Sequence, residues 1–199
     1  VRSMDIDTPA EEGMSVIVPA RAMQELGRVS VEQQQPIEML VDNNRNQVFF
    51  HMENIDLVSQ IIEGAFPDIR QIIPSVWNTR IHADTADLLK AARTALIFAR
   101  DAANVVRLQA VSQGDGDMGR LLLTATSPEH GDNVNELDIQ MEGKPVEIAF
   151  NARYLIDVLS VIDTAQMVIE LRDATSPGVI KPVGGVDFVH IIMPMHIAH

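Results

Sequence analysis

The chain has no cysteine, which excludes disulfides, thiolate nucleophiles and cysteine-based zinc sites together and fits a reducing, cytoplasmic setting. Basic residues are few: 15 Lys and Arg stand against 28 Asp and Glu, for a net charge of −13. That balance excludes a surface attractive to nucleic acid throughout and confines any polyanion contact to a segregated basic face. No window approaches ~18 consecutive apolar residues, so no membrane-spanning helix is expected. The start, Val1-Arg2-Ser3, shows neither a signal peptide nor an initiating methionine and reads as cut. Catalytic signatures are missing as well: there is no Gly-x-Ser-x-Gly, no Gly-x-x-x-x-Gly-Lys-Ser/Thr and no His-Glu-x-x-His. The run at 114–117, Gly-Asp-Gly-Asp, lacks the further acidic spacing of a calcium loop and reads as a turn between strands. His196 and His199 share a helical spacing but have no partners, so neither a metal nor any other cofactor is expected.

What is present is a repeated unit. Residues 146–150 read as a strand and Asn151 as a cap. A helix follows whose Leu155, Val158, Leu159 and Ile162 fall on one buried face, with Arg153 well off it. The stretch 15–30 echoes this, with Pro19-Ala20-Arg21 where the later copy has Asn151-Ala152-Arg153. A hairpin around the Asn-rich turn at 42–46 and a strand over 55–62 follow the first helix. Pro67, Pro74 and the irregular run containing Trp77, the only tryptophan, mark a boundary, dividing the chain into 1–75 and 76–199. Beyond it a strand over 80–83 precedes a helix capped at Asp84 or Thr85, with Leu88, Leu89, Ala92, Ala95, Leu96 and Ala99 on one side. Strands at 105–111, 120–127, 136–141, 167–171, 178–182 and 186–193 complete an α+β pattern. Residues 76–199 thus read as β-α-β-β-β twice over, and 1–75 as one such half.

Several of the scarce basic residues sit on the expected helices away from their apolar sides. Arg21 and Arg28 lie about 20° apart around the first helix, opposite Met23 and Leu26. Lys90, Arg93 and Arg100 form an arc beside the stripe of the second helix, and Arg153 starts the third. One helix with charges is ordinary, but the same placement on three helices of an acidic chain points to a shared surface facing a polyanion. The tail is the second feature. Met193-Pro194-Met195 ends an apolar strand, and methionine suits surfaces that adapt to several partners.

Four segments carry a family resemblance: Glu63-Gly-x-Phe-Pro-Asp-x-Arg70 with Ile73-Pro74, Ala149-Phe-Asn-x-x-Tyr-Leu155, Thr175-Ser-Pro-Gly-Val-Ile180, and Met193-Pro-Met195. In these the chain resembles the bacterial sliding clamp, the β subunit of DNA polymerase III. The resemblance implies the DNA clamp fold, with helices on one face of antiparallel sheets. It equates 1–75 with the second half of a middle domain and 76–199 with a C-terminal domain. It further implies a non-catalytic processivity factor, a homodimeric ring around duplex DNA lined by Arg21, Arg28, Lys90, Arg93, Arg100 and Arg153. Its partners would be the polymerase III α subunit, the clamp loader and other proteins with a clamp-binding motif. By matching motif positions, their peptides would enter a pocket of Pro67, Ile72, Asn151, Tyr154, Thr175, Pro177, Ile191, Met193, Pro194 and Met195, with Ala103 a looser match. The chain departs from the family at Gln71 and His196, where arginine is common, and in the extension beyond residue 197. The alternative is a stand-alone peptide-binding module that does not encircle DNA.

Overall fold

A computed structural model of the protein describes residues 1–3, 14–66, 68–114, 116–184 and 187–196. The chain forms two compact units, one of Ile6–Asp68 and one of Ile69–His199 joined by Val1–Asp5. The division falls ahead of the 75/76 position that the prolines suggest.

In the smaller unit, helix α1 (Ala20–Val29) precedes strands β1 (Glu38–Asp42), β2 (Gln47–His51) and β3 (Asp56–Gln60), an antiparallel sheet in the order β1-β2-β3. The expected hairpin turn is there. The Asp42 carboxylate accepts the N–H groups of Asn44 and Arg45 at 3.0 and 3.3 Å, and Asn46 takes a positive φ of 53° that asparagine tolerates. Val48, Phe50 and Met52 are buried, whereas α1 buries no residue, because a single β-α-β-β-β half offers few surfaces to pack against. Among the described residues no strand forms at the expected 16–18, where the Ile17 carbonyl accepts the Ile62 N–H at 2.8 Å. The turn-rich stretch at 8–13 lies outside the described residues.

The larger unit contains the repeat. Its first half is β4 (Thr79–Asp84), α2 (Thr85–Ala99), β5 (Val105–Ser112), β6 (Met118–Ser127) and β7 (Gly131–Gly143). Its second is β8 (Val146–Asn151), α3 (Ala152–Leu159), β9 (Gln166–Leu171), β10 (Gly178–Pro182) and β11 (His190–Ile192). The strands form one antiparallel succession, β11-β10-β9-β4-β7-β6-β5-β8, in which β4 joins the two halves by pairing with β7 and β9. Helix α2 begins where Asp84 accepts the N–H groups of Ala86 and Asp87 at 2.9 and 3.0 Å. The helices cover the sheet with Leu88, Ala91, Ala92, Ala95 and Ala99 from α2 and Leu155, Val158 and Leu159 from α3, all buried against Ile81, Leu121, Ile148 and Ile169. Leu89 and Leu96 are only partly buried, and Ala91 takes the place on the core side that the spacing gave to them.

Two strands differ in extent from the sequence pattern. β7 starts at Gly131 where 136 was expected, since register with β6 from Ser127↔Gly131 onward overrides the poor strand tendency of Asp132, Asn133 and Asn135. Before Gln140, which pairs with His82 of β4, β7 is paired with β6 alone among the described residues. β11 pairs with β10 over only three positions, and Phe188 instead bridges to Arg2. Residues 185 and 186, expected within that strand, lie outside the described residues.

Candidate peptide groove and basic helix faces

The site is built where β8 turns into α3. Asn151 caps the helix, its side-chain oxygen accepting the Arg153 N–H at 3.0 Å. With Ala152 and Leu155 buried, Tyr154 is forced outward and is 59% exposed. Across from it runs β11, whose Ile192 pairs with Gly178 and whose His190 pairs with Ile180. At Gly178 an added Cβ would stand 2.5 Å from Cζ of Phe150 and force one of them to shift, so β10 lies directly on the β8 core side chain. The chain then leaves β11 through Met193, 61% exposed, and crosses to β8, where Met195 N–H donates to the Ala149 carbonyl at 2.8 Å.

Between helix and strand lies a groove of about 310 Å³ lined by Tyr154, Asp157, His190, Ile191, Ile192 and Met193. Of the residues expected in a peptide pocket, Tyr154, Ile191 and Met193 therefore meet in one cavity. Thr175 and Pro177 lie in the β9–β10 turn, which leaves the sheet at the same end as Met193, as the Gly178↔Ile192 register requires. That turn is fixed by Asp173, whose carboxylate accepts from the backbone and hydroxyl of Thr175 and of Ser176 at 2.7–2.9 Å. These bonds, led by the Thr175 N–H, hold the Asp173 pKa far below the usual carboxylate range. Pro194 and Met195 form the crossing tail. Ala103, with φ 54°, is in the loop whose Asn104 carbonyl accepts the Ala152 N–H at 2.8 Å, at the start of α3. Ile72 is 44% exposed at the end of a short 3-10 turn and does not line the groove, and Pro67 lies outside the described residues.

Asp157 and His190 are groove residues that the motifs did not indicate. Asp157 follows Tyr154 by three positions and so shares its helix face, a signal that becomes usable once Tyr154 is known to point out. His190 is half-buried and stacks on Phe188, with ring centroids 6.4 Å apart and planes at 16°. Burial, and then the Val1 amine, lowers its pKa, while Asp157 acts in the opposite direction.

The six basic residues expected to face DNA are all exposed. Arg28 is engaged by Glu25 of its own helix, its Nε lying 3.0 and 3.1 Å from the two carboxylate oxygens. Arg21 shares α1 with it, in the smaller unit. In the larger unit α2 and α3 run antiparallel. The loop after α2 bonds the start of α3, and Arg93 shares a hollow with Leu159 and Ser160 at the end of α3. Lys90 and Arg93 are thus at one end of the helix pair, and Arg100 and Arg153 at the other. Asp84 and Asp163 border the Arg93 hollow, so positive charge on this face is interrupted. As to metals, Asp101, Glu129 and His130 bring ligand atoms within 4.8 Å of one another, but all three are exposed, as acidic surface groups commonly are. His199 lies outside the described residues. No helix among the described residues is long and apolar enough to cross a membrane.

The comparisons with known proteins agree with this geometry. Sequence models of the DNA polymerase III beta subunit match in order, the central domain over residues 1–68 and the C-terminal domain over 70–196. A beta sliding clamp of Staphylococcus aureus is 29% identical over 197 residues, which are 98% of this chain and 50% of that protein. One from Synechococcus elongatus is 30% identical over 190 residues, 96% of this chain and 49% of the relative. The crystal structure of the DNA polymerase sliding clamp from Bacillus subtilis superposes with a TM-score of 0.87 at 26% identity, covering 99% of this chain and 50% of that one. The chain spans about half the length of the curated relatives it matches. With both domain models matched in sequence order and the clamp fold present, the chain belongs to the DNA polymerase III β-subunit family.

Proposed function

We propose that this chain is part of a sliding clamp that encircles duplex DNA and tethers DNA polymerase III and other partners during replication. Its work is topological linkage and not chemistry on DNA. The observation that carries the reading is the match of two successive clamp domains, in order, over nearly the whole chain. On this reading residues 1–75 are the second half of a middle domain and 76–199 a C-terminal domain. The groove at Tyr154, Ile191 and Met193 supports a docking site for short apolar motifs of the polymerase α subunit, the clamp loader and other partners, with Asn151, Thr175, Pro177, Pro194 and Met195 framing it. Lys90, Arg93, Arg100 and Arg153 enter no ion pair among the described residues, which supports phosphate contact, joined by Arg21 and Arg28 of α1. Sequence-blind contacts of that kind suit a ring that must slide. Ring closure as a homodimer is supported by the early part of β7, which has β6 on one side only and so retains a free edge for a strand of another subunit. The cytoplasm is the corresponding location.

DNA retention by the longer protein containing this chain tests the reading. Retention should be weak on linear duplex and strong on closed circles, and it should fall when several of the six basic residues become alanine. Each lost phosphate contact should flatten the slope of log K against log salt by about 0.9. Equal retention on linear and circular DNA would remove the ring.

A further inference from the structure

The groove between α3 and β11 is not uniformly apolar. Its apolar lining is Ile191, Ile192 and Met193, and its polar lining is Tyr154 and Asp157 from α3 with His190 from β11. Among the described residues no hydrogen bond or ion pair engages any of these three side chains. Arg153, one helical turn before Asp157, forms no ion pair with it either. Tyr154 and Asp157 are exposed and so meet water, which a ligand group of matching hydrogen-bonding capacity can replace. Asp157 accepts only, and it is the one formally charged side chain among the six lining residues, because burial keeps His190 on the neutral side at neutral pH. A group that pairs with Asp157 must donate hydrogen bonds and is favoured by positive charge, whereas Tyr154 and neutral His190 can each donate or accept. A carboxylate placed there would face the Asp157 charge.

We propose that the Tyr154–Asp157–His190 polar lining is a specificity subsite that selects partner peptides bearing a lysine or arginine beside their apolar anchors. This rests on the reading of the groove as a peptide-docking site and adds to it a rule for which peptides dock. The apolar lining supplies affinity common to all such motifs, whereas the polar lining discriminates among them, as rim charges generally do. Methionine and isoleucine cannot tell one aliphatic motif from another by charge. Asp157 can.

The test is calorimetric titration of acetylated, amidated heptapeptides with leucine and phenylalanine anchors, in which lysine or glutamate replaces each remaining position in turn. The proteins are the native chain, Asp157→Asn, Asp157→Lys and Met193→Ala. At one or more positions the lysine peptide should bind the native chain about fivefold or more tightly than its glutamate counterpart at low salt, and raising salt should narrow the gap. Asp157→Asn should abolish the preference and Asp157→Lys should invert it. Both variants should fold, because Asp157 is exposed and makes no ion pair among the described residues. A preference that survives in Asp157→Asn, or its absence from the native chain while Met193→Ala still weakens binding, overturns the subsite and leaves the groove in place. If no peptide of the series binds the native chain, the docking reading itself fails.

Discussion

Replacing Met193 by alanine separates a groove that binds from a chain end that merely folds. Met193 is 61% exposed, so most of its side chain still has burial to gain. Complete burial of a methionine side chain contributes about 1.5–3 kcal/mol, so a peptide that covers the exposed majority would recover roughly 1–2 kcal/mol through this residue. Immobilising a flexible methionine offsets part of that, by about 0.5–1.5 kcal/mol, and alanine carries no such loss. The difference leaves Met193→Ala raising the Kd of an anchor peptide about two- to fivefold, or ~0.5–1 kcal/mol. Folding should hardly change, because the part of Met193 already covered accounts for about 1 kcal/mol at most. Ile192, 2% exposed on the same strand, supplies the contrast. Ile192→Ala should cost about 2–5 kcal/mol of stability. The assay is isothermal titration with a leucine- and phenylalanine-anchored peptide, alongside urea denaturation of each variant. Undiminished binding to a folded Met193→Ala would refute the groove, and so would a loss of binding matched by an equal loss of stability.

Gly178→Ala should destabilise the larger unit by about 1–3 kcal/mol in thermal denaturation, since the new Cβ would meet Phe150 Cζ at 2.5 Å and Leu171 Cδ2 at 3.2 Å; an unchanged melting temperature would mean the Phe150 ring can turn aside. Glu170, 8% exposed, accepts from Arg80 at 2.7 Å and Lys181 at 2.6 Å. Burial pushes its pKa up, but Lys181 and Arg80 together overrule burial and leave it below the ordinary value of 4.5. A lowered folded pKa means that this stability is present above the unfolded pKa and is lost as pH falls through the folded one. Glu170→Gln should therefore lose about 1–3 kcal/mol near neutrality and show a flatter decline in urea stability between roughly pH 5 and pH 3, and parallel declines would refute the assignment. Asp173→Ala should speed hydrogen exchange at the Thr175 and Ser176 amides, which donate to it at 2.9 and 2.7 Å; unchanged protection would mean that the turn stands without its carboxylate.

The sequence made the local features legible and left the distant ones obscure. Caps are local: Asp84 and Asn151 are side chains that bond N–H groups two or three residues away, so composition and spacing suffice to find them. The buried face of α3 is local too, with Leu155, Val158 and Leu159 where the helical period puts them, although the helix ends at Leu159 and Ile162 is buried from beyond it. The length of β7 is not, because Asp132, Asn133 and Asn135 disfavour strands on their own and become one only through Thr124, Ala125 and Thr126 of β6. The short β11 follows the same logic, with Phe188 captured by Arg2 from the far end of the chain. In the groove, Tyr154 and Met193 were found by their motifs, but Asp157 and His190 acquire meaning only when α3 and β11 are brought side by side. Ile72 was indicated by its motif and yet does not line the cavity of the larger unit.

The bond from Met195 to Ala149 has a consequence for how the protein behaves in a crowd. β8 is the outermost strand on its side, with β5 as its only strand neighbour among the described residues, and an exposed margin of that kind can recruit other chains. The crossing tail is a bolt drawn over that margin. On the reading of the groove as a docking site, the tail that would meet a partner is also the one that covers this margin.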